Sequence, residues 1–192
     1  MDNAAAEARL ATRLRTEREA RGWSLADLAA RSGVSRAMIS KIERGEASPT
    51  AALLGRLSAA FGLTMSQLFA RVEGGGGRVT RAADQPVWRD PATGFVRRSL
   101  TPPDDAPLEL VWGEMPPGAG VAYPAESYRF LADQQIVVVE GRLTVVQGEE
   151  THDLGPGDCV RYGPPRDSMI RNDGTATCRY LVAVLRAPAM RP

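Results

Sequence analysis

Lysine and histidine are nearly missing from this chain. Lys41 is the single lysine and His152 the single histidine in 192 residues, so the 24 basic side chains are otherwise all arginines. We read the arginine bias as one of genome composition and attach no function to it. Cysteine is scarce as well. Cys159 and Cys178 are too few and too far apart for a metal or disulfide framework, which fits a reducing compartment. A single bridge between neighbouring strands stays open. Neither sign of charge dominates: 24 basic against 23 acidic residues leave a net charge of +1. Any surface that attracts nucleic acid must therefore be local. No apolar run is long enough to span a bilayer, and the first residues, MDNAAAEARLATRLR, are Ala-rich and charged rather than a signal peptide. The expectation is a cytoplasmic protein with no membrane partner, long enough to bury one or two modest cores.

Pattern is richest between Ser24 and Pro49, SLADLAARSGVSRAMISKIERGEASP. Ser24 is a good helix N-cap, and Leu25, Leu28 and Ala29 follow at helical spacing. Ser32-Gly33-Val34 breaks that helix, with Gly33 supplying the backbone freedom of a sharp turn. Ser35 can cap a second helix whose apolar face is Met38, Ile39 and Ile42, and Gly45 ends it. Two short helices about a tight turn form the helix-turn-helix layout, in which the second helix lies in the DNA major groove. Before it, Leu10, Leu14 and Arg18 share a stripe in a helix ending at Gly22, and residues 1 to 8 are expected to form a frayed arm. After it, Leu53, Leu54, Leu57 and Phe61 are spaced for burial in a helix from about Thr50. A short fifth helix near Met65 to Ala70 presents Leu68 and Phe69.

Helix, SGVS turn, helix and then ISKIERG with a nearby proline closely resemble the Xre/Cro-like, lambda-repressor-type DNA-binding domain over roughly residues 10 to 70. The resemblance implies five helices and a structural ion pair between Arg18 and Glu43, whose loss would leave a poorly paired charge. It also places base-reading positions at Arg36, Ala37, Ser40 and Lys41. Arg36 can bind guanine edges bidentately, and Ala37 can contact a thymine methyl. Ser35, Lys41 and Arg44 are placed to touch phosphates. Leu25 stands where the family commonly has a phosphate-holding Gln. One such domain covers a short half-site, so a homodimer on a roughly palindromic double-stranded operator is implied.

Glu73 and the four glycines after it read as a flexible linker and a domain boundary. Beyond them, short β-branched runs separated by Gly and Pro turns argue for a sandwich or barrel. The runs are Phe95–Leu100, Leu108–Met115, Gln135–Val139, Arg142–Val146, Cys159–Tyr162, Met169–Arg171 and Cys178–Leu185. IVVVEGRLTVVQG, HDLGPGDCVRYGPP and MIRNDG resemble a cupin, a jelly-roll or double-stranded β-helix barrel, over roughly residues 105 to 186. The fold class expected is multidomain α + β. A five-helix lambda-repressor-like domain (1–72) is followed by a Gly-rich linker (73–78) and a cupin domain for sensing and dimerisation (79–192).

The cupin resemblance also implies positions for a metal: two His and a Glu in the first motif, and a His in the second. Counting from Gly120, Gly141 and Asn172 puts Glu126, Tyr128, Gln134 and Ser168 there. That set is a poor transition-metal cage, and His152 falls away from the motif in an exposed turn region. No cofactor, no metal and no catalytic residue are therefore expected. The same four positions would still face into a barrel mouth able to hydrogen-bond a small polar effector, with Arg161 and Tyr162 as weaker candidates. The reading is a sequence-specific transcriptional regulator with an effector-binding or dimerising barrel. The alternatives are an antitoxin-like DNA-binding interaction module and, last, a metal-dependent cupin enzyme.

Overall fold

The computed structural model describes residues 3–69, 78–102 and 106–187. Five helices come first: α1 (Asn3–Ala20), α2 (Leu25–Ser32), α3 (Arg36–Glu43), α4 (Ala51–Phe61) and α5 (Met65–Phe69). The frayed arm expected over residues 1 to 8 is corrected from Asn3 onward, where α1 already begins. Its opening run is rich in alanine, the best helix former. Ser48 Oγ also ties the helix down by donating to Glu7 Oε1 at 2.7 Å. Leu10, Leu14, Leu28, Ile39, Ile42, Leu54, Leu57 and Leu68 meet in the helical core, each at most 2% exposed. Burial of each such side chain contributes about 1.5–3 kcal/mol.

The helix boundaries follow from local chemistry. Ser24 and Asp27 form a reciprocal capping box at the start of α2. Ser35 and Thr50 cap α3 and α4 by accepting from Met38 N and Leu53 N. Gly33 closes α2 at φ +65°, a left-handed conformation that a side chain would disfavour.

The rest of the described chain is antiparallel β-structure. Its strands are β1 (Val87–Arg89), β2 (Val96–Ser99), β3 (Leu108–Met115), β4 (Gly120–Tyr123), β5 (Leu131–Glu140), β6 (Leu143–Gln147), β7 (Glu150–Leu154), β8 (Cys159–Arg161), β9 (Ser168–Arg171) and β10 (Cys178–Arg186). One sheet has the order β1-β2-β3-β10-β5-β8, the other β4-β9-β6-β7. Alternation places Glu109, Val111, Gly113 and Met115 of β3 on the inner face. Cys178, Tyr180 and Val184 of β10 are likewise buried. Three strands escaped the sequence reading. β1 and β4 are only three and four residues long. Most of β7 is exposed and polar, and it is held by its pairing with β6 rather than by an apolar alternation. Both cysteines are free, Cys159 exposed and Cys178 buried, so the bridge left open by the sequence is not formed.

The helical and β portions share one hydrophobic core rather than hanging apart. Phe69 packs on Trp88 with ring centroids 5.8 Å apart. Ser127 Oγ, within a 3-10 turn at Ala125–Tyr128, donates to the Gly55 carbonyl at 3.3 Å. Thr64 Oγ1 donates to Glu109 Oε1 at 2.8 Å, and Arg97 Nη2 donates to Ser66 Oγ at 2.7 Å. Gly55 permits this approach, because a Cβ there would stand 2.7 Å from Cδ1 of Tyr123. Of the linker expected at 73–78, residues 73–77 lie outside the described residues.

Candidate functional site

Two features carry chemistry, one on each portion of the chain. On the helical portion, Ile39 and Ile42 bury the inner face of α3, which turns Arg36, Ala37 and Lys41 to solvent and leaves Ser40 half-buried. Together with Arg44 and with Ser24, Leu25 and Ala26 at the start of α2, they line one shallow concave surface. Ser35 sits at its edge as the α3 cap. All six residues singled out from the sequence thus lie on or beside one face. Arg44 is engaged there: it donates to Glu46 at 2.6 and 2.7 Å and also to Ser40 Oγ. The hydrogen bonds between them, and then their opposite charges, favour both ionised forms, so Arg44 is pushed up and Glu46 pulled down from their ordinary values.

Behind this face stands a rigid support. Arg18 Nε and Nη2 donate to the two carboxylate oxygens of Glu43, both at 2.8 Å, and Nη1 donates to the Trp23 carbonyl at 2.9 Å. The fork geometry fixes α1 against the end of α3. Trp23 stacks on Phe61 at 5.7 Å, and the Arg31 guanidinium lies 4.4 Å over its indole.

On the β portion, the barrel mouth holds a half-open cavity of about 110 Å³. Strand residues form its walls, and Gly55 and Ser58 of α4 with Thr64 and Met65 beside and in α5 form part of its lining. Of the residues singled out from the sequence, Tyr128 and Gln134 line it, and Ser168 bonds to the Tyr128 hydroxyl. Tyr162 also lines it, its ring 5.4 Å from that of Tyr128. Burial raises the phenols of Tyr128, Tyr162 and Tyr180, that of Tyr162 to about 12, so all three are neutral hydrogen-bonding groups near neutral pH.

Glu126 is placed elsewhere. It lies in the 3-10 turn with its side chain 56% exposed, paired with Arg129 at 3.2 Å, and contributes nothing to the cavity. Arg161 lies outside this cavity, paired with Asp133 at 3.0 Å, and lines an adjoining cleft with Tyr128, Gln134 and Tyr162. The donor set at the cupin metal positions therefore does not fit a metal: its carboxylate is turned away, and two of its hydroxyls bond to each other. Among the described residues no cluster of three His, Cys, Asp or Glu could hold an ion. His152 is on β7, well exposed.

The sequence reading missed the two charged residues of the cavity, Arg97 and Glu109, which are 8% and 6% exposed. A signal for both was present. Strand alternation puts Arg97 in phase with buried Phe95 and Ser99, and Glu109 in phase with Val111 and Met115.

A five-helix unit built on this turn, joined to a two-sheet antiparallel barrel, defines a helix-turn-helix protein with a cupin. The helix-turn-helix family model matches residues 14–68 and the cupin-domain family model residues 111–184, so the chain carries an Xre-type helix-turn-helix domain followed by a C-terminal cupin domain. It is similar to the HTH-type transcriptional regulator SutR of Escherichia coli strain K12, with 28% identity over 171 residues, 89% of this chain and 91% of that one. Among solved structures, an HTH_3 family transcriptional regulator from Vibrio cholerae matches with a TM-score of 0.79 at 22% identity, over 97% of this chain and 100% of that one. The iron(II) form of HppE is a looser likeness, with a TM-score of 0.49 at 16% identity over 94% of this chain and 100% of that one.

Proposed function

We propose that the chain is a cytoplasmic, sequence-specific DNA-binding transcriptional regulator, that it acts as a homodimer, and that its barrel holds a small-molecule effector. The observation that carries the DNA-binding reading is the exposed first turn of α3, where Arg36 and Ala37 stand beside Ser40 and Lys41 on one concave face. Arg36 would read a guanine edge, Ala37 a thymine methyl, and Lys41 a base or a phosphate. Ser35 and Arg44 would touch phosphates, Arg44 after exchanging Glu46 for the DNA backbone. The relatives that are transcriptional regulators support the same reading. The reading is non-enzymatic, in keeping with a donor set that does not suit a metal.

The effector reading is supported by the lining of the cavity. Because α4 and α5 of the helical portion contribute to it, a bound molecule would bear on the elements that position α3. Coupling of this kind requires the ligand to favour one arrangement of the two portions over the other. A dimer is supported by the outer face of the larger sheet, which exposes Leu108, Val139 and Leu185.

The test is to sequence genomic fragments retained by the purified protein at a fixed, near-physiological salt concentration. Enrichment of a palindrome beside promoters is the expected result. Retention without any sequence preference, in the presence and absence of candidate effectors, would replace this reading with that of an interaction module.

A further inference from the structure

Arg97 is a buried cation whose hydrogen bonds go only to neutral groups, with the Glu109 carboxylate acting on it through space. It donates to Ser99 Oγ at 3.0 Å and to Ser66 Oγ at 2.7 Å, and among the described residues no carboxylate comes within ion-pair distance of it. Glu109, the other charge lining the cavity, is committed on one oxygen. Its Oε1 accepts from Thr64 and lies 3.3 Å from Arg186 Nε, whereas its Oε2 is buried with no hydrogen-bond partner. The hydroxyl of Tyr180 is buried and unpartnered in the same cavity. Polar atoms enclosed this way are costly unless something satisfies them. The remaining wall is largely apolar, with Val111, Ile136, Val182 and Val184 among its residues. A planar guanidinium with free N–H groups matches a carboxylate in fork geometry. A single arginine in so apolar a wall suits one negative charge better than the two of a phosphate.

We propose that the cavity binds a small molecule with a free carboxylate, an adjacent hydrogen-bond donor and a compact apolar body, with Arg97 holding the carboxylate and Glu109 Oε2 accepting from the donor. An apolar α-amino acid is the simplest member of this class, its ammonium serving as the donor; a hydroxy acid is the other source of the same chemistry. The proposal names the ligand class for the effector reading above and rests on it.

The experiment is calorimetric titration of the full-length protein with four series of matched probes. These are the apolar L-amino acids, the corresponding 2-hydroxy acids, the carboxylates lacking any 2-substituent, and the L-amino acid amides, which keep the ammonium and lose the carboxylate. We expect at least one amino acid or hydroxy acid to bind, with its amide and its unsubstituted carboxylate each at least tenfold weaker. Which of the first two series binds identifies the donor. Arg97→Gln should abolish the preference for acid over amide, and Glu109→Gln the preference for the substituted acid. Should either variant fail to fold, the wild-type comparison across the series stands by itself. Amides binding as well as acids would overturn the role of Arg97, and unsubstituted carboxylates binding as well would overturn that of Glu109. If all four series are silent, the ligand class is wrong. A parallel panel of neutral and cationic metabolites then separates the two failures: a hit there keeps the effector reading, and silence there removes it as well.

Discussion

Arg36 opens α3 and Arg44 caps its end, and the function proposed above gives them different tasks. Arg36 lies exposed in the first turn, and the function proposed above has it read a base edge. Arg36→Ala should therefore relax preference at one operator position, at a cost of about 1–3 kcal/mol to the specific site only. Arg44 is held by Glu46 and Ser40 near the end of the helix. Arg44→Ala should weaken all sequences alike and reduce the slope of log affinity against log salt by about 1. Competition binding across a set of single-base operator variants at two salt concentrations checks both; equal losses on every sequence for both variants would refute the register given to α3. A second residue-scale expectation concerns protons. Burial raises the Cys178 thiol to about 11 from 9.0, and the Tyr162 phenol to about 12 from 10.0. The folded state keeps these protons at pH values where the unfolded chain loses them. The stability they contribute is thus fully present below about pH 9 and is lost as the pH climbs through 11 and 12. Urea midpoints should be insensitive to these groups from pH 7 to 8.5 and fall above pH 10. At pH 8, iodoacetamide should label exposed Cys159 well before Cys178.

At the scale of the element, α4 is the informative helix. A glycine in mid-helix is less favourable than alanine by about 1 kcal/mol, and nothing within α4 calls for one. The reason lies across the domain contact, where Tyr123 occupies the space a Cβ would need. Gly55→Ala should therefore strengthen the helix by about 1 kcal/mol and weaken the docking by about 1–3 kcal/mol through overpacking, a net loss of up to about 2 kcal/mol. Thermal unfolding that is cooperative in the wild type should split into two steps in the variant; a single, unshifted transition would remove the role assigned to Gly55. The helices were legible in the sequence because their causes are local: Ser24 and Ser35 as caps, Gly33 as a stop, and apolar residues at helical spacing. The longer apolar strands were legible for the same reason. Strand β7 was not, since ETHDL forms a strand only because β6 lies beside it.

At the scale of the whole molecule, the residues that line the cavity also bind the helical domain. Glu109 receives the Thr64 hydroxyl, and Arg97 reaches Ser66. A ligand held by Arg97 would share the guanidinium with Ser66, which would link occupancy of the barrel to the seating of α5. With Thr64→Val and Ser66→Ala combined, a barrel ligand should still bind, while its effect on operator affinity should shrink. Operator titrations with and without ligand, in wild type and double variant, give that coupling directly; an undiminished effect would mean that the linkage runs through other contacts.

The sequence by itself determined the helix-turn-helix unit, the outward-facing residues of α3 and the β character of the second half. Each depends on contacts within a few residues, on caps, turns and periodicity. It also held the Arg18–Glu43 pair, through the resemblance that placed both partners. Only the tertiary structure decided the cavity. Arg97 and Glu109 come from separate strands and meet helix α5 from beyond the linker, and Glu126 leaves the set because a 3-10 turn rotates it outward. Charges that look solvated along a strand become buried only when the two sheets close and a helix covers them, and that burial is a property of the assembled surface rather than of any one segment.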